Sequence, residues 1–141
     1  MNQLPEPLQE IIENFNYCVG REKLEYLLEF AESLPPLPDW LQEKRDQMDE
    51  VHECMTPVFL FAQEEKGSFT FYFDIPQEAP TVRGYAAVLK EGLDGSSAAV
   101  ITAVPLDFYR QMGLQDVLTG QRLNGISAIL AHMQQQVASC R

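Results

Sequence analysis

The stretch from Val58 to Ile75 constrains this chain most. Val58, Leu60 and Ala62 alternate with Phe59, Phe61 and Gln63. Further on, Phe69, Phe71, Phe73 and Ile75 alternate with Thr70, Tyr72 and Asp74. A period of two puts successive side chains on opposite faces of a strand. Glu64-Glu65-Lys66-Gly67 separates the two runs, and Gly67 suits the left-handed position of a hairpin loop. The spacing predicts an antiparallel hairpin with an aromatic face to bury. Two strands alone are marginal in water. A third strand is expected around Met48 to His52, with helices to cover the sheet. Pro57 belongs at a strand start or edge, because it has no N–H to give to a central ladder.

Helical periodicity occupies both flanks. Leu8, Ile11, Ile12, Phe15 and Val19 predict a first helix from Pro5 to Cys18. Leu24, Leu27, Leu28 and Ala31, with Tyr26 and Phe30 beside them, predict a second from Glu22 to Leu34, antiparallel to the first. Pro35, Pro36 and Pro38 end it and leave an extended strap. Asp39 to Glu50 is rich in charge, and Trp40, Leu41 and Met48 are its only large apolar residues. It reads equally as a short surface helix or a loop, anchored at one end by Trp40. Thr81 to Leu93 predicts a helix with Val82, Tyr85, Ala86 and Leu89 on one face. Gly84 inside it costs about 1 kcal/mol relative to alanine, which points to close packing on the sheet. Ser96 to Val104 reads as a short helix or a strand, and Pro105 to Gln111 as a short helix ended at Gly113. Ile126, Ile129, Leu130, Met133 and Val137 mark a final helix from Thr119 to Ser139, with Thr119 or Asn124 as its cap. The expected class is α+β: a small antiparallel meander of about three strands against an array of helices, in a single domain spanning 1–141.

Composition narrows the function. The 141 residues carry 10 basic and 21 acidic side chains, a formal net charge of −11. That disfavours nucleic acid, where Lys and Arg must neutralise phosphates. It favours a partner with a basic docking surface. No apolar run approaches the roughly 20 residues of a membrane helix, and no secretory signal stands at Met1 to Pro5. A soluble cytoplasmic protein is expected. Three cysteines, Cys18, Cys54 and Cys140, are an odd number without a CxxC pair. A disulfide framework is therefore not expected. His52 and His132 have no ligand spacing to them, and a zinc site assembled from distant segments is the minor alternative. Cys18 reads as a packed residue and Cys140 as an incidental thiol at the chain end. Cys54 stands where a polar run gives way to the hairpin. It is the candidate reactive thiol.

In Cys54-Met55-Thr56-Pro57-Val58-Phe59-Leu60 a cysteine and a small hydroxyl residue lead into a β-run. In this the chain resembles the SufE family of sulfur acceptor proteins. An acidic residue ahead of a helix with a Val-basic-Gly core reads as Glu78 and Val82-Arg83-Gly84-Tyr85. A late Leu, Arg, Gly and hydrophobic signature reads as Leu118, Arg122, Gly125 and Ile126. Phe15 and Glu32-Ser33-Leu34-Pro35-Pro36-Leu37 match the entry helices and the strap. The resemblance spans about Leu8 to Val137 and implies a SufE/NifU-like fold. It implies that Cys54 takes persulfide sulfur from a group II cysteine desulfurase, stimulates that enzyme, and passes the sulfur on to an iron–sulfur scaffold. The pyridoxal phosphate belongs to the desulfurase, and no cofactor or metal is implied for this chain. A monomer or weak homodimer is expected, a sulfur-transfer protein and activator more than a free-standing enzyme.

Three positions depart from the family pattern: Glu53 for glycine, Thr56 for serine and Phe59 for tryptophan. The charged stretch from Trp40 to Glu50 is also longer than usual. A carboxylate beside a thiol raises the thiol's pKa, so Glu53 is expected to slow the free protein. Activation is then expected in the complex. Met55, Phe59 and the hairpin aromatics are the expected shelter for a retracted Cys54. Arg122, Glu78, Arg83, Glu53 and Thr56 are the candidates for partner binding or loop anchoring. Arg122 lies near the positive end of the last helix, where a cation is disfavoured by about a few tenths of a kcal/mol. Two other functions compete. One is a Cys-dependent hydrolase with His52 or His132 as base, although an extended chain points His52 away from Cys54. The other is a non-catalytic acidic adaptor in which Cys54 is incidental.

Overall fold

A computed structural model describes residues 4–139; Cys140, read above as an incidental thiol, lies outside them. The hairpin forms as the alternation predicts. Strand β2 (Phe59–Glu65) pairs antiparallel with β3 (Ser68–Asp74), with Leu60 opposite Phe73 and Ala62 opposite Phe71. Lys66 and Gly67 make the turn, both with positive φ (55° and 84°). That pair of values is the mirror-image turn whose twist matches the strands. The third strand is real and very short: β1 (Asp49–Glu50) pairs with Leu60 and Phe59, giving the order β1-β2-β3.

The two faces of the sheet bury different partners. Leu60, Ala62, Phe69, Phe71 and Phe73 enter the main core with α4 (Pro80–Leu93) and α6 (Gly120–Ser139). Phe59, Phe61 and Tyr72 face the other way, onto a satellite cluster of Leu37, Leu41 and Met48. Asp39 to Glu50 supplies that cover. It is a single helical turn α3 (Asp39–Gln42), a 3-10 turn (Arg45–Gln47) and then β1. Trp40 anchors it by standing edge-on to Phe61 and Tyr72, with ring centroids 6.0 and 5.4 Å apart.

Helices α1 (Glu6–Tyr17) and α2 (Arg21–Ser33) both rest on α4, and they meet each other through Phe15, Tyr26 and Phe30. Two α4 glycines set this packing. A Cβ on Gly92 would lie 2.5 Å from Leu8 Cδ1, and one on Gly84 would lie 2.3 Å from the Leu27 carbonyl oxygen. Gly84 therefore admits the backbone of α2 rather than the sheet, contrary to the expectation from sequence. Ser96 to Val104 resolves as helix α5 (Ala98–Thr102), capped by Ser97. Pro105 to Gln111 becomes a 3-10 helix (Phe108–Met112) stopped by left-handed Gly113. None of the described helices is long and apolar enough to cross a membrane.

The outer edge of β3 is sealed by side chains and one bridge. The Phe69 N–H donates to the Ser96 carbonyl and its own carbonyl accepts from Gly95. The Phe71 N–H donates to Asp94, and its carbonyl accepts from Lys90. Just past the strand, the Ile75 carbonyl accepts from Arg83 Nη1 at 2.6 Å.

Candidate functional site

Three segments converge on Cys54. The first is the loop of residues 51–58 between β1 and β2. The Val51 N–H donates to the Val58 carbonyl (2.8 Å) and pins the base of the loop. The Cys54 N–H donates to the Val51 carbonyl (3.3 Å) and makes a turn at its tip. The second segment is the entry to α4, with Glu78, Ala79 and Val82. The third is the start of α6, with Thr119, Gln121, Arg122 and Gly125. Together with Glu53, Met55 and Thr56 they line an open cleft of about 430 Å³.

Cys54 is half-buried at the wall of this cleft. Its Sγ–H donates to the Gly125 carbonyl at 3.4 Å. Gly125 lies directly beneath the thiol, and a Cβ there would reach ordinary contact with Sγ at 3.5 Å. Burial pushes the thiol pKa up to about 11, and the neighbouring Glu53 carboxylate adds to the rise. The resting group is a thiol, not a thiolate. The expected shelter differs in its parts. Phe59 and the outward hairpin aromatics belong to the satellite cluster, while Met55 is 81 % exposed at the loop tip. Ala79, Val82 and Gly125 make the apolar wall instead.

The other candidates separate cleanly. Glu53, Thr56, Glu78 and Arg122 line the cleft. Arg122 Nη1 donates to Thr81 Oγ1 at 2.6 Å and so ties the start of α6 to the first turn of α4. Its backbone N–H donates to Thr119 Oγ1, which identifies Thr119 as the cap. Arg122 makes no ion pair among the described residues, so its charge is available at the cleft rim. Arg83 lies elsewhere. Its guanidinium holds the carbonyls of Ile75 and Ala31, which makes it a brace between β3, α2 and α4. Cys18 is partly exposed rather than packed, with Sγ against the Asn14 carbonyl.

Neither histidine touches the thiol. His52 is exposed beside Glu50 (3.7 Å). His132, on α6, is nearly buried and bridges two carboxylates: Nδ1 is 2.6 Å from Asp49 Oδ2 and Nε2 is 3.0 Å from Glu53 Oε1. Nothing in the sequence marks this pairing, because 83 and 79 residues separate the partners. Sequence reasoning also misses Thr81, the Arg122 partner. Its signal is a hydroxyl among apolar positions on the inner face of α4.

A raised thiol pKa has a kinetic consequence. Moving from an ordinary 9.0 to about 11 cuts the thiolate fraction at neutral pH by about a hundredfold, while the more basic thiolate regains about tenfold in nucleophilicity. Alkylation of Cys54 by iodoacetamide, followed on its own peptide, should be about tenfold slower in the native protein than in urea. Its native rate should still be climbing at pH 10. Equal native and denatured rates, or a plateau near pH 9, would show a thiol that is neither sheltered nor perturbed.

Fold and site together define a small α+β protein with one thiol seated at the mouth of a shallow cleft. The SufE model, described as an Fe-S metabolism associated domain, matches residues 9–137. A SufE-like protein of Mycobacterium tuberculosis is 43 % identical over 135 residues, covering 95 % of this chain and 93 % of the relative. The sulfur acceptor protein CsdE of Escherichia coli is 33 % identical over 110 residues, covering 77 % and 71 %. The solution structure of a hypothetical protein from Thermus thermophilus superposes with a TM-score of 0.85 at 38 % identity, covering 97 % of each chain. The chain belongs to the SufE family.

Proposed function

We propose that this protein is a sulfur acceptor that carries persulfide sulfur on Cys54. The donor is a pyridoxal-phosphate-dependent cysteine desulfurase, which the acceptor stimulates. The recipient is an iron–sulfur scaffold. The observation that carries the proposal is the placement of Cys54: among the described residues it is the one thiol on the cleft, reachable from solvent yet held against Gly125. A relative already named a sulfur acceptor supports it.

The transfer balances without an outside oxidant. The Cys54 thiolate attacks the terminal sulfur of the donor persulfide, forming a new S–S bond. The donor's S–S bond breaks, and the donor cysteine leaves as a thiolate that takes up the proton Cys54 gave up. At a pKa of about 11 the free protein performs this step slowly. Activation therefore belongs to the complex, where cationic groups of the donor and Arg122 stabilise the anion. A persulfide oxidises easily, and the cleft wall of Ala79, Val82 and Gly125 shelters it between donor and scaffold. The protein is accordingly a carrier and activator more than a free-standing enzyme. Both imidazoles are turned to carboxylates, His52 to Glu50 and His132 to Asp49 and Glu53, which favours the carrier reading over a Cys–His hydrolase.

Intact mass after incubation with desulfurase and cysteine provides the test. One added sulfur, about 32 Da, should map to the peptide containing Cys54 and vanish with a reductant. An adduct confined to Cys18 or Cys140 would reject the site.

A further inference from the structure

The His132 bridge lies outside the chemistry proposed for Cys54, and its position gives it a task. It joins three elements: α6 through His132, the edge strand β1 through Asp49, and the thiol loop through Glu53. Glu53 is the residue immediately before Cys54, and α6 also supplies Gly125, which receives the thiol. Fixing Glu53 on α6 therefore fixes Cys54 over its seat. We infer that Asp49, His132 and Glu53 form a latch on the thiol loop, with His132 as a positioning residue that holds Cys54 retracted and must let go of Glu53 before the loop opens.

The charges around the bridge set its pH behaviour. β1 contributes Asp49 and Glu50, and the loop contributes His52 and Glu53. Glu50 has His52 as its own partner at 3.7 Å. On α4, Lys90 and Arg83 are turned to the carbonyls of Phe71 and Ile75. The β2 acids Glu64 and Glu65 lie at the hairpin end, and Asp116 precedes α6 by a turn. His132 is thus governed by Asp49 and Glu53. Burial alone lowers its pKa, but hydrogen bonds to the two carboxylates outweigh this and raise it above the usual 6.5. Glu53 is held below its usual 4.5, first by its own backbone N–H and then by His132. A raised histidine pKa contributes stability that is complete below 6.5 and is lost as pH climbs through the raised value. A depressed carboxyl pKa contributes stability that is present above 4.5 and is lost as pH falls through the depressed value. The latch is closed between these limits and loosens on the alkaline side.

Hydrogen–deuterium exchange of the peptide spanning residues 51–58 tests this in the full chain with no desulfurase present. At pH 6, Glu53→Gln and His132→Gln should each speed exchange there about three- to tenfold, the range expected of a partly exposed charge-assisted contact. The α4 peptides should stay unchanged. The double variant should exchange no faster than His132→Gln alone, because that change already breaks the Glu53 contact. In the wild type, exchange corrected for its intrinsic pH dependence should step up above the His132 pKa and meet the level of the variants. His132→Gln should lack that step. Unchanged exchange in both single variants, or effects that simply add, would overturn the latch. Where His132→Gln also loosens α4, the exposed Glu53→Gln variant decides alone.

The inference rests partly on the carrier role proposed for Cys54, and the two fail separately. A loop released by Glu53→Gln in a protein that never gains sulfur leaves the latch standing and removes the carrier. Sulfur on Cys54 with a loop indifferent to Glu53 does the opposite.

Discussion

Cys54→Ser should abolish the stimulation of desulfurase turnover while the two proteins still bind. A serine hydroxyl is a far weaker nucleophile at neutral pH and forms no persulfide, so sulfur uptake should fall to background. Oxygen in place of sulfur alters one half-buried contact beside Gly125. The dissociation constant should therefore stay within about fivefold, which is under about 1 kcal/mol. Turnover with limiting cysteine, and titration of the complex, read the two quantities separately. Stimulation that survives Cys54→Ser would favour an acidic adaptor. Stimulation lost only with Cys140→Ser would place the acceptor thiol at Cys140 instead.

The second large effect concerns stability. Gly84→Ala is a favourable change for an isolated helix, by about 1 kcal/mol. In this fold the added methyl would sit 2.3 Å from the Leu27 carbonyl oxygen and 2.9 Å from Leu27 Cγ. Backbone cannot rotate away, so α2 and α4 must separate. Forced overpacking costs about 3 kcal/mol, and the clash wins by about 2 kcal/mol. Unfolding in urea should show that loss, with a drop in Tm of roughly 6–8 °C. Because α4 opens with the cleft residues Ala79 and Val82, its displacement should also disturb the seat of Cys54. A Gly84→Ala protein as stable as the wild type would mean that the helices are not in backbone contact.

Much of this architecture is legible from residue patterns. Period-two alternation locates both long strands and their turn, since side chains in that spacing fall alternately on the two faces of a strand. The long helices follow from their apolar stripes. What stays hidden is settled by contacts between distant segments. Gly84 announces a close approach but not its partner, because a glycine says only that a side chain is unwelcome. The one-turn helix at Asp39 and the two-residue strand at Asp49 are too short for periodicity, and they exist because Phe59, Phe61 and Tyr72 need cover. The family pattern gathers Cys54, Glu53, Thr56, Glu78 and Arg122, and all five line one cleft. Arg83 stands in the same pattern yet braces carbonyls. In the sequence Glu53 matters only for its effect on the thiol, and its second partner, His132, sits 79 residues further on.

The occupied outer edge of β3 limits how another protein can take hold. On one side the strand is two acidic residues long, and on the other the main-chain groups of Phe69, Phe71 and Ile75 are already occupied. A visitor laying its own strand along β3 would have to displace those partners first. Recognition through side chains avoids that displacement, and it would place the burden of choosing the right visitor on the few residues that border the thiol.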